Sequence, residues 1–563
     1  MSDNSQSVSE EELKKREFPE EKAERRLRAR TRDNFSDRRT APRYFADFPV
    51  TVHVVRDGKK VSYPAMARDV SDGGMLIESP EIPGDDAKLE VEFRVPDGAM
   101  PEQFLHGKLS IGADVRIKKA DKKQIGVSFE KPISAKLGER TWYYFVRVAL
   151  MIMIISTVMV ALTKTESFYF FWFDVPVFLY NLVVGSYLIT RFIFAAFYKK
   201  PPKWDNLPTV TVVIPAYNEE THIERTVREA MEASYPKDKI EIIAVNDCST
   251  DDTIGALKRA QERYPDLIII DFEENKGKRE ALAAGAKMGK GEVFIFLDSD
   301  SFVRPDAFIN LVNGFADPMV GAISGECEVE NKWTNLLTKM QSVRYYIGFR
   351  VIKAAESVFN CITCVSGPLA AYRREVLFEY IEPWLDQTFL GQKATFGDDR
   401  SLTTFILKKY KVIYDSSAIT TTIVPDSYKI FFKQQMRWKR SWLRESIRAG
   451  AFMWKKQPLM AISFYMGLLL PIVGPAIVFR ALFYLPIVHH ISPVNYIVGV
   501  MIMGMMMSSA YMFAKKSRLW LYGLHFCFFY MFAIIWQLPW AMVTFYTPSW
   551  GTREISEEVR EKV

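Results

Sequence analysis

Carboxylates gather for chemistry at two places in this chain. Asp298 and Asp300 close the run EVFIFLDSD, residues 292–300. β-Branched and aromatic residues followed by two acids two apart predict a buried strand that delivers both carboxylates to its carboxyl end. That edge is where an open α/β sheet places its ligand site. Like charges repel and burial disfavours ionisation, so such a pair needs a cation or a hydrogen-bond donor beside it. A divalent Mg2+ or Mn2+ ion, itself carrying a diphosphate, would supply one. The second place is FGDDRSLT, with Asp398 and Asp399. A hydroxyl is a weak nucleophile and needs a general base to attack carbon, a task either acid suits. The same two acids would also cap a helix starting near Ser401, and the two roles are compatible.

Composition says what must position these acids. At 563 residues the chain exceeds one domain, and 48% hydrophobic with 14% aromatic residues is high beside 25% charge. The apolar residues concentrate near 148–198 and 458–547. The net charge of +7 is modest and its basic residues crowd beside those runs, which suits an anionic membrane surface better than nucleic acid. No segment resembles a nucleic-acid module. Five cysteines, an odd number, imply no disulfide framework, and the lone CITC at 361–364 has no second pair or nearby histidines for zinc.

In chain order, residues 1–36 alternate Glu with Lys and Arg and predict a mobile or surface helical tail. No hydrophobic signal segment precedes them, which predicts a cytoplasmic start. Residues 37–135 predict a small β domain, since PVTVHVV, KLEVEFRV and QIGVSFE alternate apolar and polar residues. Residues 144–163 and 168–198 are each long enough to span a hydrocarbon core of roughly 30 Å, joined by a KTES turn. Arg140, Arg147, Arg191, Lys199, Lys200 and Lys203 flank them, so both outer ends are predicted to be cytoplasmic. Residues 207–425 return to alternating strands and helices. Residues 428–449 carry seven Lys or Arg among apolar residues at helical spacing, as in a basic helix lying in the membrane interface. The runs 458–488, 493–514 and 518–547 are again apolar, followed by a cytoplasmic tail, 548–563. We expect six crossings in total, with Pro471, Gly474 and Pro475 bending 458–488 into two; a re-entrant 518–547, favoured by Lys515 and Lys516, is the alternative.

Two sets of motifs carry resemblances. Arg39 and Arg43 in RRTAPR, followed by Asp69, Ser71 and Gly74 in RDVSDGGMLIE at the start of a strand, resemble the PilZ family of cyclic di-GMP receptors. Guanidiniums contact phosphates and guanine edges and stack on bases, while a Gly-rich turn allows close backbone approach. The plain alternative is a turn with solvated arginines on a barrel. PAYNEE, NDCSTDDT, KGKREAL and LDSD, in this order, resemble a family-2 glycosyltransferase with a GT-A fold. That resemblance implies that Tyr217 and Glu219 hold the uridine, that Asp247 contacts the uracil or ribose, and that Lys278 and Arg279 face the nucleotide. It gives the metal and diphosphate to Asp300 with Asp298, and the base role to Asp399, beside Asp398. Gly367, in VSGPLAAYRRE, supplies a small turn where an acceptor approaches. In QxxRW, formed by Gln434, Arg437 and Trp438, the resemblance gives Arg437 the leaving diphosphate and Trp438 the floor under the acceptor sugar. Trp550 and Arg553 in WGTR are similar to the C-terminal motif of hyaluronan, chitin and Nod-factor oligosaccharide synthases, where it closes near the nucleotide.

The expected fold class is a multidomain membrane protein: an N-terminal PilZ-like β-barrel, an α/β GT-A glycosyltransferase domain and an α-helical transmembrane bundle. The resemblance implies a processive, inverting enzyme in the cytoplasmic (inner) membrane, with both soluble domains in the cytoplasm. It would polymerise a UDP-sugar onto a growing polysaccharide, export the chain through its own helices and answer to cyclic di-GMP as activator. Its partners would be donor, polymer, cyclic di-GMP and lipid bilayer, with room for export proteins. The N-terminal PilZ-like segment departs from the hyaluronan type, so the sugar is not carried over. A single-transfer polyprenyl-phosphate enzyme and a non-catalytic cyclic di-GMP receptor are the alternatives.

Overall fold

The computed structural model describes residues 43–56, 59–78, 88–94, 108–119, 124–161, 174–394 and 396–545. The predicted tail at 1–36, Arg39, the KTES turn, Trp550 and Arg553 lie outside the described residues. The chain divides into two units, Met1–Met151 with Met512–Arg518 and Ile152–Tyr511 with Leu519–Val563.

In the first unit six strands close into an antiparallel barrel. They are β1 (Arg43–Arg56), β2 (Lys59–Ser71), β3 (Gly74–Glu78), β4 (Lys88–Arg94), β5 (Lys108–Lys119) and β6 (Gln124–Phe129), in the order β1-β2-β3-β6-β5-β4. The period-2 pattern does what it should: Val50, Val52 and Val54 face inward with Leu89, Val91, Phe93, Ile125 and Val127 to form one core. Helix α1 (Ile133–Ala161) follows.

The second unit is built on an eight-stranded sheet. Its strands are β7 (Val210–Ala216), β8 (Ile240–Asn246), β9 (Leu267–Asp271), β10 (Val293–Phe296), β11 (Ser301–Val303), β12 (Val320–Val329), β13 (Ala370–Arg373) and, after a small hairpin of β14 (Thr388–Phe389) and β15 (Gln392–Lys393), β16 (Lys411–Thr422). The order is β11-β16-β12-β13-β10-β7-β8-β9. β10, β7, β8 and β9 run parallel, which brings their carboxyl ends to one edge. Strands buried on both faces read as continuous apolar runs. Accordingly Val213, Ile243 and Val245 enter one core, while Val212, Ile214, Ile242 and Ala244 enter the other.

Helices carry the chain between and beyond these strands: α2 (Val175–Ala196), α3 (Ile223–Met231), α4 (Thr253–Arg263), α5 (Lys278–Met288), α6 (Leu336–Tyr346), α7 (Asp398–Leu407), α8 (Tyr428–Met453), α9 (Pro458–Phe479), α10 (Val494–Lys515), α11 (Leu521–Phe529) and α12 (Gln537–Thr544). Among the described residues four helices are long and apolar enough to cross a membrane, Thr141–Met159, Val175–Ala196, Pro458–His489 and Tyr496–Lys515. A fifth candidate is the pair Arg518–Ile534 and Gln537–Thr544, bent by 50°. The chain is a membrane protein.

This corrects the expected six crossings, because Pro458–His489 is one helix and does not split at Pro471, Gly474 and Pro475. Its glycines serve close packing instead. A Cβ at Gly467 would lie 2.9 Å from the Tyr187 hydroxyl, and one at Gly474 would lie 2.8 Å from the Tyr180 hydroxyl. Both pairs are seven residues apart, two helical turns, so α9 presents a notch for each tyrosine of α2. The Tyr180 hydroxyl also donates to the Leu470 carbonyl at 3.1 Å, tying α2 to the proline-bearing stretch.

Candidate active site

The carboxyl edge of the parallel strands opens on a cavity of about 830 Å3. β10 ends at Phe296, and Asp298 and Asp300 follow it into this space, with Tyr217 and Glu219 arriving from the end of β7. The β7 loop is locked to its neighbour: the backbone N–H of Asn218 donates to Ser249 Oγ at 3.0 Å, and that of Thr250 donates to Asn218 Oδ1 at 2.8 Å. Lys278, first residue of α5, ion-pairs with Asp298. Burial pulls its ammonium down, but Asp298, Asp398 and Asp399 outweigh this and hold it above the ordinary lysine value. Burial and then the Asp298 charge push the Asp300 carboxyl up to about 6, against Lys278 and the Thr422 hydroxyl, which donates to it at 3.3 Å.

Asp300 is therefore short of positive charge, and this is the test of a divalent ion here. Among the described residues no group of three His, Cys, Asp or Glu is assembled for a metal. Two carboxylates with substrate phosphates completing the shell is, however, a usual arrangement for Mg2+. Asp300 and Asp298 fit such an ion when a diphosphate accompanies it. Gly367 leaves room for them, since a Cβ there would come 2.8 Å from Asp298 Oδ2 and force that carboxylate to shift.

Two residues expected to face the nucleotide are spent within the fold. Asp247 is 1% exposed, and its carboxylate accepts the backbone N–H groups of Lys276 at 2.8 Å and Gly277 at 3.0 Å. It thereby fixes the loop that starts α5 and presents Lys278. Arg279 is buried and donates through Nε to Asp398 Oδ1 at 2.9 Å. That pair divides the labour between the two acids of α7. Asp398 is 6% exposed, and its carbonyl also accepts from Trp384 Nε1 at 3.0 Å. Both acids line the cavity, and on Asp399 the Cys364 Sγ donates to Oδ2 at 3.5 Å while the Arg400 backbone N–H donates to Oδ1 at 2.8 Å.

α8 brings Gln434, Arg437 and Trp438 to the same cavity. Its basic residues turn inward more than an interface helix requires. Arg444 pairs with Glu445 and donates to the Phe396 carbonyl, and Arg448 donates to Gln387 Oε1 at 2.6 Å. The wall continues onto the apolar helices through Pro471, Tyr530 and Leu538.

Sequence reasoning missed Arg344, Lys353 and Lys439. In sequence each reads as an ordinary helical cation, Lys439 as one of the seven basic residues of 428–449, and no local signal sets it apart. Lys353, 8% exposed, donates to Ser324 Oγ at 2.7 Å and Ser366 Oγ at 2.6 Å, so it braces the turn holding Gly367. Lys353→Met keeps the bulk and deletes both bonds. We expect the reaction run in this cavity to slow about tenfold as the turn loosens, with the melting temperature little changed; steady-state rates beside thermal melting check this.

In the barrel, Asp69 Oδ1 accepts the Leu76 N–H at 3.1 Å and Ser71 Oγ donates to the Gly74 carbonyl at 3.1 Å. A Cβ at Gly74 would collide with the Val127 carbonyl, so the turn admits glycine alone. Of Arg43 only the backbone, at the start of β1, is described.

A parallel-strand edge bearing paired acids, with a basic helix closing over it, defines a site for a phosphorylated donor. The Glycosyl transferase family 2 model matches residues 211–381, and the PilZ domain model matches residues 37–144. The chain belongs to glycosyl transferase family 2, with a PilZ domain ahead of it. Hyaluronan synthase of Streptococcus pyogenes is 35% identical over 278 residues, 48% of this chain. The match spans 65% of that relative's length. An N-acetylglucosaminyltransferase of Rhizobium meliloti (strain 1021) is 30% identical over 292 residues, 50% of this chain and 68% of the relative. Among solved structures, a mannosyltransferase from Pyrobaculum calidifontis in complex with GDP-Man and Mn2+ is 22% identical with a TM-score of 0.47, over 66% of this chain and 99% of that one.

Proposed function

We propose that the protein is a processive, inverting polysaccharide synthase of the cytoplasmic membrane, using a UDP-sugar and responding to cyclic di-GMP. The observation that carries this reading is the single cavity lined by Asp298, Asp300, Asp399, Arg437 and Trp438 and continued by Pro471, Tyr530 and Leu538 of the apolar helices. A donor site alone would have no need of an aromatic floor opening toward membrane helices.

In this reading Tyr217 and Glu219 flank the nucleoside, and Asp247 acts from behind by holding the Lys278 loop. Asp398, neutralised by Arg279, keeps α7 in place, leaving Asp399 to take the proton from the acceptor hydroxyl as that oxygen bonds the anomeric carbon. The bond from that carbon to the diphosphate breaks, and Arg437 meets the charge growing on the leaving group. A divalent ion held by Asp300 and Asp298 would add further neutralisation at the diphosphate. Trp438 orients the acceptor by stacking, with Gln434 on the same helix. Trp550 and Arg553 would close over the nucleotide.

Cyclic di-GMP would bind Arg39 and Arg43 beside the Asp69–Ser71–Gly74 turn and relieve inhibition. Losing a charged hydrogen-bonding partner costs about 1.5–3 kcal/mol, so Arg39→Ala or Arg43→Ala should weaken cyclic di-GMP binding about tenfold to hundredfold. Calorimetric titration measures this, and unchanged affinity in both variants would remove the assignment. For the enzyme itself, the full chain in detergent is given labelled UDP-glucose, UDP-N-acetylglucosamine and UDP-glucuronate, singly and in pairs, with and without cyclic di-GMP. High-molecular-weight product supports the synthase; label confined to the lipid fraction would favour the single-transfer alternative.

A further inference from the structure

One wall of the cavity carries positive charge that the protein does not answer. Arg344, near the end of α6, lines the cavity with its guanidinium 5.5 Å from the ring centres of both Trp438 and Phe526. Its Nη1 is buried without a hydrogen-bond partner among the described residues. The titratable groups that weigh on it are the phenols of Tyr345 and Tyr530, and no carboxylate is among them. Lys439, next to Trp438, lines the same space. Its Nζ donates to the neutral Gln537 Oε1 at 3.3 Å and lies 5.9 Å from the Tyr530 ring centre. Burial, then Arg344, pull the Lys439 ammonium down to about 7. Of the four aspartates lining the cavity, Asp298 and Asp398 are paired with Lys278 and Arg279, and neither Asp300 nor Asp399 is among the groups that weigh on Arg344 or Lys439.

Leaving a buried charge unpaired costs several kcal/mol per ion, so a wall of this kind is stabilised when an anion arrives. A neutral sugar can offer hydroxyl oxygens, but it leaves the charge uncompensated. A carboxylate matches the planar guanidinium in both charge and shape. The position fixes which ligand is met: the cation lies against Trp438, and the surrounding residues belong to the apolar C-terminal helices.

We infer that Arg344, assisted by Lys439, is an anion-recognising subsite for the acceptor chain, so that the polymer carries a carboxylate on the sugar resting against Trp438. This rests on the reading of Trp438 as the acceptor floor. The polymer is then a uronate-containing glycan.

The test uses the full chain in detergent and two probes, a hexasaccharide alternating glucuronate with N-acetylglucosamine and its carboxyl-reduced counterpart, with UDP titrated separately. Wild type should prefer the charged probe by about tenfold or more. The preference should shrink to within about twofold in Arg344→Gln and survive in part in Arg344→Lys, which keeps the charge but loses the fork. UDP affinity should not move. Equal affinity of wild type for the two probes, binding of neither, or an undiminished preference in Arg344→Gln would each overturn the inference. So would weaker UDP binding in a variant that melts like wild type, because the anion met would then be the diphosphate. If Arg344→Gln lowers the melting temperature, Lys439→Met carries the same comparison. Failure here leaves the synthase reading standing if neutral donors yield polymer, whereas absence of polymer from every donor set would sink that reading separately.

Discussion

Asp399→Asn should bind its donor like wild type and elongate about a thousandfold more slowly, within the range general-base removal usually gives. The substitution is isosteric, so it deletes proton acceptance while leaving the start of α7 in place. The prediction depends on which acid is free. Asp398 is locked to Arg279, and its own carbonyl serves Trp384, so Asp398→Asn would disturb a buried ion pair and report on stability as much as on chemistry. Asp399 reaches the cavity with no ion pair of that kind: the Arg400 backbone N–H holds Oδ1 at 2.8 Å, and Oδ2 meets only the weak Cys364 thiol donor at 3.5 Å, which leaves that oxygen able to take a proton. Initial rates of sugar incorporation beside UDP affinity make the comparison. Normal elongation by Asp399→Asn would remove this residue as the base.

The second large effect is expected at Arg437. Arg437→Ala should lower kcat about a hundredfold to a thousandfold, the size seen when a preorganised donor to developing charge is removed. The donor KM should change far less, because the guanidinium counts most when the sugar–phosphate bond is breaking. Arg437→Lys should recover only part of the loss, since an ammonium supplies the charge without the bidentate fork. A loss confined to donor KM, with kcat intact, would recast Arg437 as a binding residue.

The parallel core of the sheet was legible because its cause is local. β7, β8 and β10 are buried on both faces, so their residues form apolar runs with polar residues where each strand stops, and Tyr217, Asp247 and Asp298 follow at those ends. Pairings across long sequence separations were not legible. Asp247 holds the backbone of Lys276 and Gly277, and Arg279 reaches Asp398 on another element; nothing in NDCSTDDT or KGKREAL announces either partner. α8 was readable as basic and helical, but not as a helix whose Arg444 and Arg448 serve Glu445, Phe396 and Gln387. Pro471, Gly474 and Pro475 have two physical meanings, a break or a close approach. The second applies because Tyr180 and Tyr187 of α2 recur at the same seven-residue interval as Gly474 and Gly467. Arg344 looks like an ordinary helical cation until the cavity it lines is known, and Lys353 until its bonds to Ser324 and Ser366 are.

The central claim is that donor and acceptor halves share one cavity continuous with the apolar helices, so that a chain once begun is extended without release. Product size at low donor consumption tests it most directly. With protein in excess over completed chains and only a small fraction of labelled UDP-sugar used, the account predicts long polymer beside untouched donor, with few intermediate lengths. A ladder of short oligosaccharides that lengthens uniformly with time would contradict it.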